Sequence, residues 1–145
     1  MTKDSVLHSC LASDLPDCQQ CQRLAGFLQS VRTQYPDYHA RPVSAFGDRC
    51  AQLLIVGLAP GMHGANRTGR PFTGDHAGIL LYQTLHKFGF STQPESIAAD
   101  DDLQLIGCRI TNSVKCLPPE NKPTPQERIF LLPMARCTLC RPALV

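Results

Sequence analysis

The chain has 145 residues, of which 43% are hydrophobic, so its length suits one compact domain over residues 1–145 with enough apolar surface for a core. Its net charge of +2 lacks the strongly basic character that dominates nonspecific nucleic-acid binding, and this charge neither requires nor excludes DNA as a partner. Residues 1–10 lack the apolar core of a signal peptide, and apolar runs such as Leu53–Val56 are far too short to span a bilayer, so we expect a cytoplasmic monomer without membrane contact.

The first predicted element is a helix from Cys18 to Thr33, with Asp17 as its N-cap and Pro36 beyond its end. Its apolar residues follow the spacing of one helical face: Leu24, Phe27, Leu28 and Val31. This pattern predicts an amphipathic helix that packs on a core.

The second predicted element is a strand at Leu53–Val56 that ends at Gly57. Its uninterrupted apolar run is typical of a strand buried on both faces, at the centre of a parallel sheet. A long loop, from Gly57 to Gly74, then leaves the carboxyl end of the strand. Ligands of open α/β folds bind at that edge of the sheet.

Three further elements follow in the second half of the chain. A helix is predicted from Ala77 to Phe88, with Gly89 as its left-handed terminator, and a strand is predicted within Leu103–Val114. Thr124–Glu127 forms a capping box with proline at the first helical position, which predicts a third helix. We therefore expect an α/β fold, with helices on both faces of a central parallel sheet in three layers. Because two strands and three helices are few for such a domain, we expect only its first half here, with sequence missing after Val145.

The loop Gly57–Asp75 is the most informative segment, since it holds five glycines in nineteen residues. Glycines let a backbone approach a ligand closely. The segment lacks both the Gly-Lys-Ser/Thr ending of a phosphate-binding loop and the dinucleotide fingerprint. On composition alone, a mobile surface loop is an equal alternative to a ligand site.

Three segments carry a resemblance to a known family. GLAPGMHGANRTGRPFTGD (57–75) resembles the first motif of type-b (family 5) uracil-DNA glycosylases, and ITNSVKCLPPENKPTPQE (110–127) resembles their second. Cys18 and Cys21 resemble the start of the family's cluster-binding pattern, and Leu58, where the type-a branch has Glu, favours type b. The resemblance implies an enzyme that starts base excision repair by hydrolysing the N-glycosidic bond of uracil in single- or double-stranded DNA, and type-b relatives also accept other deaminated bases.

The resemblance also implies roles for individual residues. Phe72 would stack on a flipped base, Asn112 would read the base edge with an amide that both donates and accepts, and Asp75 would orient the attacking water. Backbone amides near Ala59 and Gly61 would bond the base carbonyl. Each side chain has a plainer alternative: a core position for Phe72, a turn for Asn112 and an N-cap for Asp75. We expect His63, in the same loop, to be solvated.

Eight cysteines in a reducing compartment favour metal ligation over disulfides. The family resemblance implies a 4Fe–4S cluster with Cys18, Cys21 and Cys116 as ligands. The family places the fourth ligand near Leu131, where no cysteine stands, so we assign it to Cys140, in a Cys-Arg-Pro context. The stretch 129–138 is then an insertion or a segment read in a shifted frame. The remaining thiols are expected to be buried and unreactive: Cys10, Cys50 and Cys108.

Two alternatives remain open. Cys18 and Cys21 could instead pair with Cys137 and Cys140 in a structural zinc site without catalysis. The chain could also be an inactive fragment, because the family carries a later histidine motif that is absent here. A partial sheet exposes apolar edges, so we expect this 145-residue chain to be poorly soluble or inactive.

Overall fold

The computed structural model describes residues 15–128, which contain three α-helices and three β-strands. The helices are α1 (Gln22–Gln34), α2 (Ala65–Thr68) and α3 (His76–Lys87), and the strands are β1 (Phe46–Gly47), β2 (Leu53–Gly57) and β3 (Cys108–Asn112). Short 3-10 helices lie at Leu15–Asp17 and Pro119–Asn121, and residues 125–128 are helical. Within this range no helix has the length and apolar character needed to cross a membrane.

The sheet confirms the α/β class, because β2 and β3 pair in parallel, with Leu53 opposite Cys108 and Gly57 opposite Asn112. The crossover between these strands contains α3. The two-residue β1 lies antiparallel on the other side of β3, so the strand order is β1-β3-β2. Gly57 and Asn112 therefore end their strands side by side.

The position of β2 differs from the prediction. Among the described strands β3 is central and β2 lies at an edge. Ile55 packs against the core, but Val56, on the opposite face, is 49% exposed. The prediction of burial on both faces is wrong for this part of the chain, because an apolar run shows only that a strand tolerates burial and not which layers cover it.

Two apolar clusters hold these elements together. One joins α1 to the segment after β3 through Leu24, Leu28, Val31, Val114 and Leu117. The other packs α3 on the sheet through Tyr82, Leu85, Leu103, Cys108 and Ile110. The site loop lies between the strand end of β2 and α3 and has contacts with both clusters, through Ala59 and Phe72.

Element boundaries follow local signals closely in α3 and less closely elsewhere. Asp75 caps α3, accepting a hydrogen bond from the Gly78 amide at 2.9 Å, and Gly89 follows the helix with φ +79°. The first helix starts later than predicted, with Cys21 as its N-cap rather than Asp17. Asp17 instead lies in the preceding 3-10 helix and pairs with Arg41.

The last two predicted elements are present but short. Of the strand predicted within Leu103–Val114, only Cys108–Asn112 is regular, since Gly107 adopts a left-handed conformation (φ +58°) just before it. The capping box is confirmed: the Thr124 amide donates to Glu127 at 2.8 Å, and the Glu127 amide donates to the Thr124 hydroxyl at 3.3 Å. Glu127 also accepts two hydrogen bonds from Arg23 of α1, both 2.9 Å long.

Candidate active site

The glycine-rich loop after β2 is folded onto the protein and contains the short helix α2, which was not predicted. The backbone amides of His39 and Ala40 donate to the carbonyls of Arg67 and Asn66, each at 3.0 Å. Asn66 is fully buried and donates to the Met62 carbonyl at 3.3 Å, while its Oδ1 has no hydrogen-bond partner among residues 15–128. A loop held in this way is not the free surface loop that composition alone allowed.

A buried arginine fixes the second half of the loop. Arg70 is 4% exposed and donates from Nη1 to Asp101 at 2.5 Å and to Ser96 at 2.9 Å, while Nη2 donates to the Ala99 carbonyl at 2.9 Å. Its guanidinium also lies 4.3 Å from the centre of the Phe46 ring. Burial by itself would raise the pKa of Asp101, but hydrogen bonds from Arg70 and from three backbone amides outweigh this effect and lower the pKa. The loop is thereby joined to the segment 96–101, which lies between α3 and β3.

Phe72 and Asn112 come together above Gly57. A Cβ added to Gly57 would lie 2.4 Å from Asn112 Oδ1 and 2.7 Å from Phe72 Cζ, so both side chains use the space that the missing side chain leaves. Phe72 has a left-handed backbone (φ +54°), and its ring also contacts the α3 cluster. The Phe72 ring therefore packs against the α3 cluster and also lies next to the ends of β2 and β3.

Asn112 presents an unused amide at the carboxyl end of β3. The residue is 3% exposed, and its side chain makes no hydrogen bond to any residue in the described range. Its backbone carbonyl accepts a hydrogen bond from Lys115 Nζ at 2.8 Å, and the same ammonium group donates to Thr111 Oγ1. Burial, and then the nearby charge of Arg109, lower the pKa of Lys115 to about 8. An amide at a strand end that makes no such hydrogen bond keeps both its donor and its acceptor for a ligand.

The two carboxylate oxygens of Asp75 have different surroundings. Oδ1 accepts the capping hydrogen bond from Gly78, which confirms the N-cap interpretation. Oδ2 lies over the loop backbone: a Cβ on Gly64 would be 2.5 Å from it, and one on Gly61 would be 3.9 Å from it. Capping therefore uses one oxygen, and the other faces the segment whose amides were predicted to bind a base.

A cavity of about 490 Å³ adjoins Phe72 and Asp75. The residues that line it are Phe72, Gly74, Asp75, His76, Gly78, Ile79, Glu95, Ser96 and Ile97. Ala59, Gly61 and Asn112 do not line it. Phe72 thus meets Asn112 above Gly57 and shares this cavity with Asp75.

Three of the predicted cluster ligands lie near one another. Burial raises the pKa of Cys116 to about 12, and the neighbouring Cys18, Cys21 and Glu127 add to this shift. Burial likewise raises the pKa of Cys21, with further contributions from Glu127 and Cys18. Between residues 15 and 128, however, no group of three His, Cys, Asp or Glu side chains has a metal-binding arrangement. Cys137 and Cys140 lie outside the described residues.

The other cysteines were predicted to be buried. Cys108 is fully buried, and burial raises its pKa, as expected for an unreactive thiol. Cys50 is exposed, so that part of the prediction is wrong. The reason is local, since the Cys50 amide donates to Asp48 Oδ1 in a turn between β1 and β2. Cys10 lies outside the described residues.

Comparison with known proteins identifies the family. The sequence profile of the uracil DNA glycosylase superfamily matches residues 44–145. The chain belongs to this superfamily. The resemblance noted in the sequence is therefore confirmed at the level of this superfamily.

The individual relatives of this uracil-DNA glycosylase superfamily member include enzymes of two types. A type-5 uracil-DNA glycosylase of Thermus thermophilus is 50% identical over 118 residues, which cover 78% of this chain and 53% of the relative. A type-5 enzyme of Mycobacterium tuberculosis is 46% identical over 122 residues, covering 80% and 46%. A type-4 enzyme of Archaeoglobus fulgidus is 30% identical over 118 residues, covering 81% and 46%. The chain spans about half the length of these curated relatives.

Proposed function

We propose that this chain carries the base-binding and catalytic residues of a uracil-DNA glycosylase, which removes uracil from single- or double-stranded DNA and so starts base excision repair. Other deaminated bases, such as hypoxanthine and xanthine, are included in the proposed substrate class. The observation that carries this proposal is the meeting of the Phe72 ring and the unused Asn112 amide above Gly57, at the carboxyl edge of the sheet. The names of the type-5 relatives support it.

The proposed binding step begins with extrusion of the base from the DNA stack. Phe72 offers its ring as a stacking surface, and Asn112 offers a donor and an acceptor to the base edge. Backbone amides near Ala59 and Gly61 donate to the base carbonyl, where negative charge develops as the glycosidic bond breaks. These donors stabilise the transition state more than the ground state.

The proposed chemical step is hydrolysis at C1′ of the deoxyribose. The bond between C1′ and the base nitrogen breaks, and a water oxygen forms a new bond to C1′. The Asp75 carboxylate positions this water, accepts its proton and stabilises the positive charge on the sugar. The oxygen that faces the loop, Oδ2, is the one suited to this role, because Oδ1 is used by the Gly78 amide.

We also propose a structural 4Fe–4S cluster bound by Cys18, Cys21, Cys116 and Cys140. The chemistry of the donors fits, since all four are thiols, and Cys21, before α1, packs against the apolar cluster that contains Cys116, after β3. When bound, the cluster would cross-link these two segments, and it would supply nothing that glycosidic cleavage requires. The packing of Cys21 against the apolar cluster that contains Cys116 favours the iron–sulfur cluster over a zinc site that omits Cys116.

Metal analysis tests the cofactor directly. The chain purified without oxygen should be brown and contain iron and acid-labile sulfide, and replacing Cys116 with serine should lower the content of both. Colourless protein that contains zinc, with a zinc content unchanged by Cys116→Ser, would support the alternative site of Cys18, Cys21, Cys137 and Cys140.

The glycosylase activity is tested with the 145-residue chain on a labelled, uracil-containing oligonucleotide under single-turnover conditions. The proposed function predicts excision, in contrast to the inactivity that the sequence of a partial sheet predicts, and the double variant Phe72→Ala/Asn112→Ala should be slower by about 100-fold, from the loss of one stacking contact and one hydrogen bond. Phe88→Ala is the matched control, since Phe88 is an exposed ring at the end of α3. A double variant as fast as the parent would refute the proposed base-binding residues.

An inactive fragment remains the second candidate, because Val56 and Leu58 at the edge of the described sheet are about half exposed. Folded chain that binds DNA without excising uracil would support this candidate.

Gly57→Ala tests the geometry above the strand ends. The added methyl group would overlap Asn112 Oδ1 and the Phe72 ring and push both side chains outward, whereas the backbone has no positive φ that alanine would strain. A displacement of about 1 Å at an active site costs about 100-fold in rate, so we expect a loss of this size in single-turnover excision. An alanine variant with the parental excision rate would show that the two side chains do not have to meet above Gly57.

A further inference from the structure

Arg67 is an exposed arginine that the loop holds in place. It lies in the last turn of α2, and its Nε donates to the His63 carbonyl at 2.6 Å. Its guanidinium rests on Gly74: a Cβ at Gly74 would lie 2.6 Å from Arg67 Nη2. Gly74 has φ +85° and directly precedes Asp75, so both its conformation and the arginine require glycine there.

The charge of Arg67 is not used within the described part of the chain. Three other arginines there form ion pairs: Arg23 with Glu127, Arg41 with Asp17 and Arg70 with Asp101. Arg67 has no carboxylate partner among residues 15–128. Because its Nε is already bonded, the side chain has lost part of its rotamer freedom and would lose less on binding a ligand.

The same loop contains a second exposed donor, His63. The Tyr38 hydroxyl bonds His63 Nδ1 at 2.8 Å, and the His63 ring lies edge-on to the rings of Tyr35 and Tyr38, which stack at 4.6 Å. If the hydroxyl is the donor, as assigned from this pairing, the imidazole carries its proton on Nε2. The exposed His63 then offers an N–H group in the same loop, four residues before Arg67.

We propose that Arg67, with His63 as a second donor of the same loop, binds a backbone phosphate of the DNA strand that carries the extruded nucleotide. This inference rests on the proposed function. A planar guanidinium suits a phosphate because two parallel N–H groups can meet two oxygens. The contact next to Gly74 and Asp75 would fix the sugar–phosphate backbone beside the carboxylate that positions water.

The test is DNA binding by the full chain, measured by fluorescence anisotropy on an oligonucleotide with a tetrahydrofuran abasic analogue, which cannot be cleaved. Arg67→Gln should raise Kd about tenfold, as expected for one charged hydrogen bond, and should reduce the slope of log Kd against log salt concentration by about one. Arg67→Lys should keep the slope and recover only part of the affinity. Arg32→Gln, an exposed arginine on α1, is the matched control and should change neither quantity.

The outcomes separate this proposal from the proposed function. Equal Kd and equal salt slopes for the Arg67→Gln and Arg32→Gln variants would overturn the phosphate contact, and so would a parent chain that does not bind the probe. Failure to excise uracil, together with the expected difference in salt slope, would count against the glycosylase activity and leave the contact in place. If Arg67→Gln does not fold, the Arg67→Lys variant decides. A parental salt slope with a Kd above that of the parent supports the contact, and a parental Kd overturns the bidentate contact.

Discussion

Replacing Asp75 with asparagine is expected to slow uracil excision by about 100- to 10,000-fold, the usual contribution of a positioned acid or base. Asparagine caps helices about as well as aspartate, so the hydrogen bond to the Gly78 amide should persist. The variant loses only the carboxylate charge that would position water and stabilise the sugar. Single-turnover excision and the free energy of unfolding, measured on the same preparations, test both halves of this expectation.

Asp75→Ala is the comparison that separates capping from catalysis. It removes the capping oxygen as well, and we expect it to lower the free energy of unfolding by about 1 kcal/mol relative to Asp75→Asn. Its excision rate should match that of the asparagine variant. If Asp75→Asn excises uracil at the parental rate, Asp75 is a helix cap and has no catalytic role.

Gly78→Ala is expected to destabilise the protein by about 3 kcal/mol, although alanine is the better helix former. A Cβ at Gly78 would lie 1.8 Å from the Phe72 carbonyl oxygen, which is backbone and cannot move aside without moving the loop. The start of α3 and the left-handed turn at Phe72 would have to separate. Chemical denaturation gives the change in the free energy of unfolding.

Gly26→Ala provides the matched control for this substitution. Gly26 lies within α1, and an added Cβ there meets no atom within 4 Å. Helix propensity then acts alone, and we expect a gain of about 0.5–1 kcal/mol. Changes of the same sign in both variants would show that the close approach of Gly78 to Phe72 has no energetic effect.

The sequence predicts best those elements whose signals are local. Asp75 and Gly89 mark the two ends of α3 to within a residue, and the capping box at Thr124–Glu127 forms as expected. In each case a few neighbouring residues contain the whole signal.

The features that the sequence did not predict depend on distant residues. Arg70 forms an ion pair with Asp101, thirty-one positions further along the chain, and Arg23 forms one with Glu127, one hundred and four positions further. Nothing in the spacing of these charges distinguishes them from solvated surface residues. The same limit applies to β2, whose apolar sequence is compatible with a central or an edge position.

The backbone of Phe72 has a consequence for how the loop keeps its shape. A left-handed conformation costs a large aromatic residue roughly 1–2 kcal/mol, so the chain on its own would favour a relaxed geometry. Contacts from outside the turn oppose this relaxation, among them the Tyr82 hydroxyl, which bonds the Pro71 carbonyl at 2.8 Å. The turn is therefore held in a strained conformation by contacts outside it. Removing such a distant contact would let the backbone relax and move the Phe72 ring away from the strand ends, even if every residue that faces the DNA were unchanged.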